Sequence, residues 1–134
     1  MIKLFKFPVP PSTNGLYKNV GKRRARSEAY REYIHECDEW ESLNAYAVSV
    51  ARSAIENINL VSLELEFNLP QEKLFTKKGE VKRYDLSNRI KALEDQLFKM
   101  LGRDDSCVFE IKSVKYLSDL NSVNITIRDY KEGL

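Results

Sequence analysis

The chain has 134 residues, 43% apolar and 31% charged, with a net charge of only +2. That is enough for a single domain, residues 1–134, with its own core. One histidine and two cysteines without CxxC spacing leave no zinc site, and no apolar run is long enough for a signal peptide or a bilayer span, so a reduced, cytoplasmic chain with no membrane contact is expected.

The charges are unevenly laid out. Lys18, Lys22, Arg23, Arg24 and Arg26 follow one another with no acid between them. An acidic run from Glu28 to Glu41 comes next, and a second basic block carries Lys73, Lys77, Lys78, Lys82 and Arg83. Clustered cations favour a polyanionic partner more than the small net charge suggests. Two solvated loops would give the same composition.

Ile2 to Phe7 alternates apolar and basic residues and predicts a short half-buried strand. Pro8, Pro10 and Pro11 stop its ladder, Ser12-Thr13-Asn14-Gly15 is turn chemistry, and Gly21 keeps the first basic block a loop. Ser27 is a candidate N-cap for a helix. Its apolar stripe runs through Ala29, Tyr30, Tyr33, Ile34, Cys37 and Trp40 and continues through Leu43, Ala47, Val50, Ala51 and Ala54. This predicts one helix of about 25 residues or two abutting helices, broken at Asn44. His35 lies off the stripe and reads as a surface residue.

Leu60 to Phe67 is the clearest strand: Val61, Leu63, Leu65 and Phe67 face one way, and Ser62, Glu64 and Glu66 the other. Lys73 to Lys82, with Gly79, reads as a mobile basic loop. Tyr84 to Asp105 then predicts the helix around which the rest is arranged. Asp85 is its expected N-cap and Gly102 its expected terminator. Leu86, Ile90, Leu93, Leu97 and Leu101 form its apolar stripe, while Asn88, Lys91, Asp95 and Lys99 form a separate polar row. Strands follow at Cys107–Tyr116 and around Val123–Arg128. The order β-α-β-α-β-β, with two main helices, predicts an α+β domain with a small mixed sheet and helices on one face.

The central helix also sets a distance. About sixteen residues make a rod of roughly 24 Å. Asp85 sits at one end, and Asp104–Asp105 just past the other. Two carboxylates must lie within a few ångström of one cation to chelate it. These ends therefore cannot share an ion within one chain. Two copies with antiparallel helices across a two-fold axis would gather Asp85 from one and Asp104–Asp105 from the other.

At this point the chain resembles the RusA-type Holliday junction resolvases, small dimeric endonucleases of prophages. Pro10-Pro11-Ser12, Asn14 and Tyr17 match that family's opening, and Ser27 with Ala29-Tyr30-Arg31 matches its next segment. The family signature D-L-D-N, then lysine, aspartate and D-D, appears here as Asp85-Leu86-Ser87-Asn88, Lys91, Asp95 and Asp104-Asp105; Lys115 falls on a further family lysine. The resemblance implies a homodimeric, Mg2+-dependent (Mn2+ as an alternative) endonuclease that resolves four-way DNA junctions in recombination and repair. Asp85, Lys91 and Asp105 would be catalytic, and Asp85, Asp104 and Asp105 would hold the metal. Asn14, Asn88 and Asp95 would support them. Lys22, Arg23, Arg24, Arg26, Lys77, Lys78, Lys82 and Arg83 would meet DNA phosphates, and Tyr17 would either stack on an opened base or join the core. Ser87 stands where the family has an aspartate. It offers a neutral, weak or water-mediated ligand, so a junction-binding protein with weak or lost cleavage is the alternative. Bland readings stand beside each element: Asp85 as a cap alone, Asp104–Asp105 as a solvated turn, Lys91–Asp95 as a surface ion pair.

Overall fold

The computed structural model describes residues 1–12, 17–20 and 23–131. Asn14 and Lys22, both expected near DNA or the active site, lie outside the described residues, as does Gly21.

Strand β1 (Ile2–Phe7) turns Ile2, Leu4 and Phe7 into the core. A register shift between Leu4 and Phe7, with Lys6 at φ 57°, leaves Phe5 outside. The first basic block is not a loop. Strands β2 (Tyr17–Val20) and β3 (Arg23–Arg26) pair antiparallel, with Tyr17 opposite Arg26. Arg23, Arg24 and Arg26 therefore lie on a two-stranded ribbon. This stretch lacks the apolar alternation that marks a half-buried strand, so the pairing was not legible in sequence.

Helix α1 (Glu28–Leu43) begins as expected, the Ser27 hydroxyl accepting the Tyr30 N–H at 3.1 Å. It buries Tyr30, Tyr33, Cys37 and Trp40. Trp40 is fixed to β1, donating from Nε1 to the Phe5 carbonyl at 3.1 Å and meeting Phe7 edge-on at 5.1 Å. Asn44 does break the helix: its side-chain amide donates back to the Trp40 carbonyl at 2.8 Å. Helix α2 (Ala45–Ile55) then starts with a reset phase. Val48, Ala51 and Ile55 are buried, whereas Leu43, Ala47 and Val50 face solvent. The continuous stripe through Leu43, Ala47 and Val50 is thus corrected, because one non-helical residue rotates every later side chain around the axis. His35 is exposed and pairs with Glu39 at 2.9 Å.

Strand β4 (Val61–Leu69) is the sheet's spine. Val61, Leu63, Leu65, Phe67 and Leu69 are all within 1% of complete burial. It pairs antiparallel with β6 (Ser122–Asp129) and parallel with β5 (Val108–Leu117), giving the order β1-β6-β4-β5. The sheet is therefore mixed, and the predicted α+β order holds with the β2–β3 ribbon inserted. The basic loop after β4 is more structured than expected. Helix α3 (Gln71–Leu74) leads into a turn closed by a Phe75–Val81 bridge and by the Thr76 N–H to Glu80 carbonyl bond at 2.7 Å. Gly79, at φ 81°, supplies the left-handed residue this turn needs.

Helix α4 (Ser87–Leu101) is fifteen residues long, roughly 22 Å. Ala92, Leu93 and Leu97 are fully buried, with Phe98, Met100 and Leu101 close behind. Gly102 ends it at φ 69°, with the Arg103 N–H donating to the Phe98 carbonyl. A 3-10 turn (Asp105–Cys107) delivers the chain into β5. Among the described residues no helix is long and apolar enough to cross a membrane.

Candidate active site

Asp85 is not the N-cap proper. Leu86 holds that position, and Asp85 stands one residue earlier. Its carboxylate still caps the helix from there. Oδ1 accepts the Ser87 N–H at 3.1 Å and the Ser87 hydroxyl at 2.7 Å, and Oδ2 accepts the Asn88 side-chain amide at 3.0 Å. Ser87 and Asn88 thus grip the carboxylate from one side. The Ser87 hydroxyl, foremost, holds the Asp85 carboxyl below the usual aspartate range, and Arg83 adds to the same effect.

The sign follows from that direction. A depressed folded-state value favours the ionised form. Any stabilisation it brings is present above the unfolded value near 3.9 and is lost as pH falls through the lower folded value. Asp85 stays ionised at pH values where an ordinary aspartate is half protonated. Removing the hydroxyl by Ser87→Ala is expected to raise the Asp85 titration midpoint toward the ordinary value; an NMR titration of its carboxyl carbon reads this directly.

Three further residues fix this end. Tyr84 is buried, and the Arg89 guanidinium lies 3.9 Å over its ring. Arg89 also donates to the Pro10 carbonyl at 3.0 Å, which brings the proline-rich opening to the start of α4. The Lys115 ammonium donates to the Tyr84 carbonyl at 3.2 Å. Arg89 is not legible as a site residue in sequence because its carbonyl partner, Pro10, lies far away in the chain.

The middle of α4 gathers a different set. Lys91 pairs with Asp95 at 3.2 Å. That hydrogen bond, above all, raises the Lys91 pKa, and Asp105 contributes in the same direction. Glu94, half-buried, is pushed up mainly by burial and then by Asp105. Asp105 therefore turns back toward Lys91 and Glu94. Asp104 caps the 3-10 turn, its Oδ1 accepting the Ser106 N–H at 3.2 Å. Arg103 anchors the turn, donating to the carbonyls of Ile55, Ile58 and Asn59. Glu94 was missed from sequence, although it lies seven residues after Ser87 and three after Lys91, on one helical face.

Two groups result. Asp85, Ser87 and Asn88 form one; Lys91, Glu94, Asp95 and Asp105 form the other. No hydrogen bond or ion pair links Asp85 to Asp104 or Asp105 among the described residues. The donors suit a hard divalent cation by type, being carboxylate and hydroxyl oxygens. By number they fall short within one chain: no group of three or more such ligands converges among the described residues. Of the second basic block, Lys77, Lys78, Lys82 and Arg83 are all exposed. Lys82 Nζ donates to the Glu72 carbonyl at 2.6 Å.

Oxygen-donor carboxylates beside an ammonium, on an open helix face flanked by basic segments, are the equipment of a phosphodiester-cleaving enzyme. Residues 7–128 match the model of the family Endodeoxyribonuclease RusA, and the chain belongs to that family. It is accordingly a structure-specific endodeoxyribonuclease of the Holliday junction resolvase kind, a family that generally depends on divalent metal. No curated protein matches the chain.

Proposed function

We propose that the chain works as a homodimer, binds a four-way DNA junction, and hydrolyses it at two symmetric centres that use Mg2+, with Mn2+ as a substitute. Each centre takes Asp85, with Ser87 at its side, from one chain and Asp104–Asp105 from the other. The observation that supports this reading is that Asp85 precedes α4 and Asp104–Asp105 follow it, while no three such ligands converge among the described residues.

Asp85, Asp104 and Asp105 would hold a divalent ion, which would offset charge on the phosphoryl oxygens and lower the pKa of a water. The chain's own residues do the rest. Ser87 and Asn88 hold the Asp85 carboxylate ionised and aimed outward. Lys91 keeps its proton and lies near Asp105, where it can balance charge that grows on the phosphate. Asp95 orients Lys91. Lys77, Lys78 and Arg83, with Arg23, Arg24 and Arg26 of the ribbon, neutralise backbone phosphates without reading sequence, so binding weakens steeply with salt.

The test is a synthetic junction incubated with the protein with and without Mg2+. Paired symmetric nicks are expected only with metal, and Asp85→Asn is expected to bind the junction yet leave it uncut. Normal cutting by Asp85→Asn would remove Asp85 from the centre. Ser87 favours a second reading, in which the protein grips junctions and cuts them poorly. In that case gel shifts appear at every Mg2+ or Mn2+ concentration without products.

A further inference from the structure

Strand β5 is an open sheet edge of ten residues, bonded on one side only, to β4. Along it Phe109, Ile111, Val114, Tyr116 and Leu117 are exposed, Phe109 by 58% and Leu117 by 61%. Long apolar edges invite strand pairing, and proteins usually blunt or cover them. Among the described residues Tyr130 meets Phe109 at 5.8 Å, and past Glu110 both faces of the strand are exposed.

We propose that a second copy of the chain pairs with this edge, β5 against β5, antiparallel about a two-fold axis through Ile111. The inference rests on the two-chain metal centre and names the surface that builds it. Antiparallel pairing of a strand with itself is self-complementary, as a two-fold interface requires. Charge selects the register. Glu110 and Lys112 lie on the same outer face, two residues apart. An axis through Ile111 sets each Glu110 against the partner's Lys112, twice over, and Ile111 against itself. An axis through Lys112 would set like charges directly opposite one another, which is unfavourable. Phe109 occupies the bulge between the Val61–Val108 and Ser62–Glu110 pairs, and this register puts it opposite the partner's Ser113, a small side chain.

The same register completes the site. Helix α4 and β5 run antiparallel and are tied at both ends: the 3-10 turn carrying Asp105 joins the end of α4 to the start of β5, and Lys115 near the end of β5 holds the Tyr84 carbonyl beside Asp85. A two-fold axis perpendicular to the sheet keeps both helices on one face and antiparallel. It places the partner's Lys115 opposite Cys107, the last residue of the 3-10 turn that starts at Asp105, and so brings that turn toward the partner's Asp85.

The experiment measures solution mass against concentration, by sedimentation equilibrium, for the wild type, Glu110→Lys, Lys112→Glu, and an equimolar mixture of the two variants. The wild type is expected to dimerise. Each variant alone sets like charges opposite at two places and is expected to dimerise about tenfold more weakly. The mixture restores opposite charges across the seam and is expected to recover wild-type association. An intrachain Glu110–Lys112 contact cannot produce that recovery, because both variants lack it. If single variants dimerise as tightly as the wild type, or the mixture associates no better than its parts, the β5 seam is wrong while the two-chain centre stands. A wild type that stays monomeric at concentrations where it cuts junctions overturns both.

Discussion

An equimolar mixture of Asp85→Asn and Asp105→Asn chains is expected to nick a four-way junction, although neither chain alone cuts it. The expectation follows from where α4 places the two carboxylates. Each homodimer lacks one carboxylate at both centres. Loss of even an outer-sphere partner typically costs ten- to a hundredfold at a metal site, so loss of a direct ligand is expected to cost more than about a hundredfold. In the mixed dimer both substitutions fall in one centre. The other keeps Asp85 from one chain and Asp105 from its partner. Random exchange makes about half the dimers mixed, each with one intact centre, so about a quarter of wild-type centres survive. Products should be single nicks rather than symmetric pairs. If each centre lay within one chain, every centre in the mixture would carry a substitution and the mixture would be as inactive as its components. A plasmid-borne cruciform, which distinguishes one nick from two by topology, reads the difference.

The elements legible in the sequence are those whose cause is local. Ser27 caps α1 and Asn44 breaks the helical pair because short polar side chains bond neighbouring backbone wherever they fall. Strand β4 is legible because both its pattern and its burial are complete. The β2–β3 ribbon was not, since three arginines fill β3 and β2 is only four residues long. Leu43 and Val50 look buried in sequence and are exposed, because a single residue at Asn44 re-phases the helix after it. That Asp85 precedes α4 and Asp104–Asp105 follow it could be read from spacing alone. What could not be read is what surrounds them: Arg89 on Tyr84 and Pro10, Arg103 on three carbonyls after α2, Lys115 on Tyr84. Each of these contacts joins residues far apart in the chain or depends on a turn whose geometry no periodicity records.

Ser87→Asp is the substitution with the largest expected gain. The Ser87 hydroxyl lies 2.7 Å from Asp85 Oδ1 as a donor. A carboxylate in its place has no proton to give. Without metal, two anions would then crowd the same end of α4, and the low Asp85 titration midpoint that the hydroxyl sustains would rise above the ordinary aspartate value, because one charge opposes the other. With metal the balance reverses. The added charge is drawn to the cation, and affinity for hard divalent ions rises with the number of anionic oxygens offered. Mg2+ affinity is expected to increase about tenfold or more, and the Mg2+ concentration for half-maximal junction cutting to fall by a similar factor. Calorimetric titration with Mg2+ measures the first independently of cutting. The upward shift at Asp85 without metal, read by NMR, shows that the new carboxylate lies beside it. If that shift appears and Mg2+ affinity does not change, residue 87 touches Asp85 but not the ion, and the serine here is a positioning residue for Asp85 rather than a weakened ligand.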